Sequence, residues 1–386
     1  MIAPPVSPSW TLHARRDREA ARELARALGA PLAAAEALVN RGISAPETAH
    51  RFLEPSLDDL LDPRELRGLD AATVRLQQAL ERGERILVHG DYDVDGITST
   101  FLLYAVLTSL GARAEYRIPH RTRDGYGLSL EAIDEAHRRG CTLVVTVDCG
   151  ITAVEAVRHA SALGIDTVVT DHHEPAAALP EAVALVNPRL KDCPYPFKSL
   201  AGVGVTFKLA EALLRGRGGL SRASDYLDVV ALGTIADVVP LVGENRVLAR
   251  LGLERLNRAD RLGLKALVDV AGLSGKHITS GQVAFVLAPR INAAGRMGNP
   301  EQGVRLLLSR DIHEARDIAA SLEDDNQRRR QFDERALIDA AARVESELGW
   351  PDCAAIVLWS ETWHPGVIGI VASRLVERFQ RPALLV

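Results

Sequence analysis

Arg85-Ile-Leu-Val-His89, then Gly90-Asp-Tyr-Asp-Val-Asp-Gly96, then the helical run from Ile97 to Leu110 decide the fold. An apolar strand delivers a turn loaded with carboxylates, and a helix follows at once. Alternate residues of a strand share a face, which would align Asp91, Asp93 and Asp95. The two terminal glycines instead predict a strand tip opening into a loop. Three like charges on one tip repel unless a cation neutralises them. Oxygen donors beside the imidazole of His89 suit Mn²⁺ or Mg²⁺ better than a cysteine-rich zinc site.

The same alternation continues outward. Leu69 to Arg82 reads as a helix closed by Gly83, Ala114 to Pro119 as a strand, and Ser129 to Arg139 as a helix closed by Gly140. Thr142 to Val147 is a β-branched strand, Ala153 to Leu163 a helix, and Ile165 to Thr170 a further strand. Short apolar strands separated by helices predict an α/β fold with a parallel sheet covered on both faces. Ligands of such sheets gather beyond the strand C-termini. Residues 14–50 read as short Ala/Leu helices, and 52–63 as loop. Ser199 to Asp269 reads as mostly helical, His277 to Val286 as amphipathic, and Arg290 to Pro300 as a Gly- and Asn-rich loop. A long polar helix over 301–348, broken near Ser309-Arg-Asp311, predicts a bridge between two domains. Ala354 to Leu358 starts a new strand, followed by loop and helix over 364–378. Ala383-Leu-Leu-Val386 opens another, as expected of a fragment of a longer protein.

Composition sets limits. The chain has 386 residues, 47% hydrophobic, with a formal net charge of −5, so nucleic-acid binding has to come from local basic patches. Cys141, Cys149, Cys193 and Cys353 form no CxxC pair, which argues against a structural zinc and a disulfide scaffold. The Pro-rich start from Met1 to Ser9 lacks a signal-peptide core, and no apolar run is long enough to span a membrane. A reducing cytoplasm is the expected location.

Four acidic clusters are expected at equivalent places after strands, three of them at strand C-termini: His89 to Asp95, Val147-Asp-Cys-Gly150, Thr170-Asp-His-His-Glu-Pro175 and Gly233-Thr-Ile-Ala-Asp-Val-Val-Pro240. Singly, each is also an ordinary turn or helix cap. Their recurrence points to one site. Together they resemble the DHH phosphoesterase family, named for a segment matching Asp171-His172-His173. Ala236-Asp-Val-Val-Pro-Leu241, Ile291-Asn-Ala-Ala-Gly-Arg296 and His364-Pro-Gly-Val-Ile-Gly-Ile-Val-Ala-Ser-Arg374 resemble its branch of single-strand-specific 5′→3′ exodeoxyribonucleases.

The resemblance implies a two-metal phosphodiester hydrolase that degrades single-stranded DNA to mononucleotides in repair and recombination. Carried over by position, His89, Asp93, Asp95, Asp148, His172 and Asp237 are expected metal ligands, and His173 is expected to face the scissile phosphate. Asp91 is extra to the broader family, and Asp171 orients a neighbouring imidazole from behind. Expected DNA contacts are Arg296 and Asn292 in the 292–298 loop, and Arg121, Arg123 and Tyr126 in the loop after the 114–119 strand. His364, Ser373 and Arg374 are expected to grip substrate across the cleft. Arg328-Arg-Arg330 reads as a solvated face. The implied organisation is a helical extension (1–65), the DHH domain (66–305), a connecting helix (306–348) and the start of the DHH-associated domain (349–386). The implied partners are single-stranded DNA, with a single-strand-binding protein and a helicase as accessories. The rival readings are a small-substrate phosphodiesterase or pyrophosphatase of the same fold, and a non-catalytic DNA-binding scaffold.

Overall fold

The structure, a computed structural model, describes residues 17–121 and 123–386. The Pro-rich start and Thr122 lie outside the described residues. Three short helices come first: α1 (Arg18–Leu28), α2 (Leu32–Asn40) and α3 (Pro46–Leu53). Asp17 caps α1, its carboxylate accepting from the amides of Glu19 and Ala20. Their small apolar faces close on one another through Ala21, Leu24, Ala35 and Leu38. The stretch after α3 contains two single 3₁₀ turns, at Leu57–Asp59 and Pro63–Glu65, where a loop was expected.

The central unit starts with α4 (Leu69–Arg82), β1 (Arg85–His89), α5 (Val94–Ser109) and β2 (Arg113–Arg117). It continues with α6 (Leu130–Arg138), β3 (Leu143–Val147), α7 (Val154–Ala162), β4 (Asp166–Thr170) and β5 (Ala184–Val186). All strand pairs are parallel, in the order β2-β1-β3-β4-β5. Alternate strand residues feed two cores. Ile86, Val88, Leu143, Val145 and Val168 face the larger one, while Leu87, Val144 and Val169 face the smaller. Burial on both faces is why β1, β3 and β4 read as apolar runs, while the edge strand β2 is only partly buried and carries charges. The chain leaves β1 for β2 on one side and returns to β3 on the other. That reversal opens a crevice at the C-terminal ends of β1 and β3.

Helices complete the larger core: α8 (Gly202–Leu213), α9 (Gly219–Ala223), α10 (Leu227–Ala236), α11 (Gly243–Leu256), α12 (Leu262–Val270) and α13 (Ser280–Gln282). A π-helical turn, Val283–Leu287, leads into α14 (Ala288–Met297). The Gly/Asn stretch expected to be a loop is therefore helical over most of its length. Its buried face (Ile291, Ala293, Ala294) supplies the drive, and Gly295 lets the helix close on the backbone of Tyr92. A Cβ at that glycine would meet the Tyr92 carbonyl oxygen at 2.7 Å.

Beyond α15 (Glu301–Leu308), the expected break at 309–311 gives way to the 36-residue α16 (Ile312–Glu347). Its first part packs into the larger core through Ala315, Ile318, Ala319 and Leu322. Its last part carries Ala336, Ala340, Ala341 and Val344 into a separate small core. That core is shared with the parallel pair β6 (Ile356–Leu358) and β7 (Ala383–Leu385), and with α17 (Ile368–Phe379). No described helix is long and apolar enough to cross a membrane.

Candidate metal centre and adjoining cleft

The site is assembled at the β1/β3 crevice. β1 stops at His89. Asp93 then caps α5, its carboxylate accepting from the Gly96 amide at 3.0 Å, so Asp95 falls in the first helical turn and no three-carboxylate strand face forms. Asp148 follows β3 with φ of 61°, a left-handed backbone that a non-glycine residue adopts only under local constraint. Asp171, His172 and His173 follow β4. Asp237 departs from expectation: it caps the C-terminus of α10, not a strand. Val238 next to it is again left-handed, at φ of 61°. Both strained turns flank ligand groups.

Three sets of side chains converge closely enough to share a cation: Asp91, Asp93 and Asp148; Asp148, His172 and His173; and Asp95, His172 and Asp237. Asp148 and His172 each belong to two sets. His172 Nε2 lies 3.1 Å from an Asp148 oxygen, 3.7 Å from Asp95 and 3.8 Å from Asp237. His89 stands apart. Its Nε2 lies 3.1 Å from the Gly127 carbonyl, and none of the three sets includes it, whereas the supposedly extra Asp91 belongs to one. The other ring nitrogen of His89, Nδ1, is buried with no hydrogen-bond partner.

Several donor atoms are buried with no hydrogen-bond partner: both ring nitrogens of His172 and one oxygen each of Asp91 and Asp148. Native folds rarely leave such atoms bare, at about 1–3 kcal/mol each. Hard oxygens and neutral imidazole are a donor set for Mg²⁺ or Mn²⁺, so the residues fit the expected ions. Asp95 is held in place from afar: both its oxygens accept from the first amides of α8, Gly202 at 2.6 Å and Val203 at 2.8 Å. Gly202 has to be glycine, because a Cβ there would sit 2.3 Å from an Asp148 oxygen.

Electrostatics follows from burial. Burial, reinforced by Asp93, pushes the carboxyls of Asp91 and Asp237 up to about 7. Burial and the neighbouring carboxylates drive Asp95 and Asp148 well above the ordinary range. Burial, with His173 alongside, lowers His172 to about 4, which keeps it a neutral imidazole. Burial opposes the charge of Asp171 too, but hydrogen bonds from His173 and from backbone amides outweigh it and hold its carboxyl below the usual value. Asp171 receives His173 Nδ1 at 2.7 Å, and this bond raises His173.

Raised carboxyl pKa values mean that the metal-free folded state binds more protons than the unfolded chain. The stability contributed by these carboxyls is full below about 4 and is lost as pH rises through about 7, while His172, lowered to about 4, acts in the opposite sense below 6.5. Chelated protein should melt about 5 °C or more lower at pH 8 than at pH 5. Mn²⁺ should reverse the loss mainly at the higher pH. Melting curves at both pH values, with and without the ion, check this. Asp171→Asn should cost about 10–100-fold in activity. It should also move the basic limb of the pH profile to lower pH, as His173 loses its anionic partner; a parallel drop with no shift would reduce Asp171 to a scaffold residue.

A cleft of about 250 Å³ adjoins the Asp91 end, lined by Asp91, Tyr92, Asp93, Arg121, Tyr126, His173, Asn292 and Arg296. Tyr126 Oη lies 3.3 Å from His173 Nε2. Arg121 sits over the Tyr92 ring at 5.1 Å. Arg296 is half-buried and donates to the Gly366 carbonyl at 3.0 Å. Burial, then the facing Arg121 and Arg329, disfavour its charge, so an anion between them would be welcome. Asn292 is brought here too, but its oxygen is spent on the Val94 amide at 3.1 Å.

Other expected contacts are not brought here. Arg123 turns away to Asp124 at 3.0 Å. On the C-terminal unit His364 stacks on Phe332, the Ser373 hydroxyl donates to Gly369, and Arg374 pairs with the buried Asp333 at 3.0 Å. None of these three lines the cleft. Sequence reasoning missed Tyr92, although it lies inside the quoted motif. It missed Arg329, half-buried where a solvated face was expected. Also missed were the Gly202 and Val203 amides, whose only signal was the Ala201-Gly-Val-Gly204 helix start.

The DHH family, N-terminal domain model matches residues 85–234. The single-stranded-DNA-specific exonuclease RecJ of Bacillus subtilis is 43% identical over 376 residues, covering 97% of this chain and 47% of that protein. The Escherichia coli RecJ is 43% identical over 346 residues, covering 86% and 60%. The chain thus spans about half the length of the curated relatives it matches. A crystal structure of exonuclease RecJ bound to manganese superposes with a TM-score of 0.77 at 41% identity, covering 86% of this chain and 82% of the other. RecJ of Thermus thermophilus in complex with Mn²⁺ gives 0.82 at 39%, covering 95% and 52%. The β1/β3 crevice, its carboxylate–imidazole sets and these likenesses agree: the chain belongs to the DHH family, beside the RecJ exonucleases.

Proposed function

We propose that this chain is the nuclease core of a divalent-metal-dependent exonuclease that hydrolyses single-stranded DNA from the 5′ end to mononucleotides. One observation carries the reading: three ligand sets, linked through Asp148 and His172, lie beside a cleft lined by the Arg121 and Arg296 guanidinium groups. The relatives named for this activity, and those solved with Mn²⁺, support it. Two Mn²⁺ or Mg²⁺ ions would be held by Asp93, Asp95, Asp148, His172 and Asp237, with Asp91 in reach. When bound, such ions supply a nucleophile from water and neutralise phosphate charge.

The protein's own groups do the rest. Asp171 keeps the proton on His173 Nδ1, and the His173 cation faces the cleft, where it can hold a phosphoryl oxygen. Arg121 and Arg296 supply forked donors for the terminal phosphate, and Tyr92 and Tyr126 supply faces for a base. The proposed division of the chain is 1–65, 66–305, 306–348 and 349–386, with the last part gripping substrate. Single-strand-binding protein and a helicase are the proposed accessories, in the cytoplasm.

The test is release of label from 5′- and 3′-labelled single-stranded oligonucleotides with and without Mn²⁺. Early 5′ mononucleotide, lost on chelation, is the expected result. Equal early release from both ends rejects the polarity, and preference for a dinucleotide over a long strand favours the small-substrate alternative.

A further inference from the structure

A groove of about 750 Å³ lies between the N-terminal helices and the start of α11, lined among others by Arg41, Arg51, Phe52, Val242 and Arg246. Three guanidinium groups face it against one carboxylate, Asp59. Arg51 is 74% exposed and only loosely paired with Asp59, at 3.5 Å. Arg41 is exposed, and the one bond recorded for its guanidinium goes to the Ala37 carbonyl. Arg246 Cζ lies 3.8 Å over the Phe52 ring centroid, its Nε donates to the Phe52 carbonyl, and burial, then Arg250, disfavours its charge. The floor is apolar, with Val242 46% exposed.

The groove adjoins the candidate metal centre through the chain segment that follows Asp237. Asp237 marks one end of the ligand sets and Asp91 the other. Pro240, on the groove wall, is three residues past Asp237, so their Cα atoms are at most about 11 Å apart. The loop is braced: buried Asn245 donates to the carbonyls of Ser199 and Pro240. The terminal-nucleotide cleft opens at the Asp91 end, so a strand lying across the ligands leaves at the Asp237 end, towards this groove.

We propose that the groove is a second nucleic-acid subsite, which holds the single strand downstream of the scissile phosphate. Arg41, Arg51 and Arg246 take backbone phosphates, and the Arg246–Phe52 stack and Val242 take a base. A guanidinium plane over an aromatic ring tolerates any base, which suits a strand that slides. The charge balance favours a polyanion over an uncharged apolar segment. The inference rests on the proposed nuclease reading and gives it a strand path.

The test is the double variant Arg41→Glu/Arg51→Glu in the whole chain, with thermal melting to confirm folding. Binding of single-stranded oligonucleotides of about 6 and about 30 nucleotides is measured over a salt series, without divalent ions, the short one being the internal reference. The long strand should bind about tenfold more weakly, with a salt slope shallower by roughly 1.4, while the short strand is unchanged. A photocrosslinker at Val242→Cys should capture the long strand only. Unchanged long-strand affinity and slope overturn the subsite. So does a crosslinker that takes an acidic, apolar peptide and no DNA. Wild-type protein that binds the long strand through the groove but cleaves nothing would sink the nuclease reading alone.

Discussion

Asp148→Asn is expected to lower turnover at least about a thousandfold and, in chelator, to raise the melting temperature by a few degrees. The two effects share one cause. Asp148 belongs to two of the three ligand sets, so no other carboxylate removes as much of the site at once. Its carboxyl is buried among Asp95, Asp93, Asp171 and Asp91, which together with desolvation hold it well above its ordinary pKa. Without cations that crowding is a cost to the fold. The amide keeps the shape beside Gly202 and discards the charge. Single-turnover cleavage and paired melts measure both halves. A variant that cleaves normally would remove Asp148 from the site. One that cleaves poorly but melts lower would show that repulsion is not the governing term. Sites tuned for function commonly carry this kind of instability.

Lys208→Met is expected to cost about 3–5 kcal/mol of stability, the largest single loss predicted outside the site. Lys208 on α8 is fully buried. Its ammonium lies 2.6 Å from Glu244 of α11 and donates to the Leu61 carbonyl at 2.7 Å. Glu244 in turn accepts from the Leu61 amide at 3.0 Å and the Tyr195 hydroxyl at 2.5 Å. Removing the cation leaves the carboxylate buried and uncompensated. The double variant Lys208→Met/Glu244→Leu should recover much of the loss, since an apolar pair of similar volume is often neutral. Urea unfolding of the three proteins gives the coupling. A single variant costing under about 1 kcal/mol would mean that the pair contributes little. Because Leu61 belongs to the link from the N-terminal helices, the single variant should also loosen that unit against α11.

The sheet was legible because its inner strands β1, β3 and β4 are buried on both faces and spell that burial as an apolar run. The ligand motifs were legible because parallel strands deliver their carboxylates locally. What escaped depended on partners distant in sequence. Asp95 is clasped by amides 107 residues away, which no local spacing reveals. The helical reading of 199–269 holds for α10, but grouping Asp237 with the clusters that follow strands did not, because Leu227 to Ile235 is buried all round and gives no amphipathic period to mark where its last residue points. The 290–300 stretch looked like loop by composition, but its glycine is there for close packing on Tyr92. Arg121 and Arg123 part company, with Asp124 drawing the second arginine outward.

The long α16 has one further consequence. Its first part is anchored in the main core as far as Leu322, and its last part in the small core from Ala336 onward. The intervening span buries only polar groups, Asp325, Asn326 and Asp333, and is expected to flex as a leaf spring carrying the C-terminal unit. A ten-degree flexure there would swing the remaining dozen helical residues, about 18 Å of lever, by about 3 Å, close to the thickness of one base. Across the gap Arg296 donates to the Gly366 carbonyl, and on the span itself His364 stacks on Phe332 and Arg374 pairs with Asp333. The expected consequence is that helix stiffness gauges the aperture beside the candidate metal centre, and that substitutions at exposed positions on that span reset its calibre without touching a reacting group.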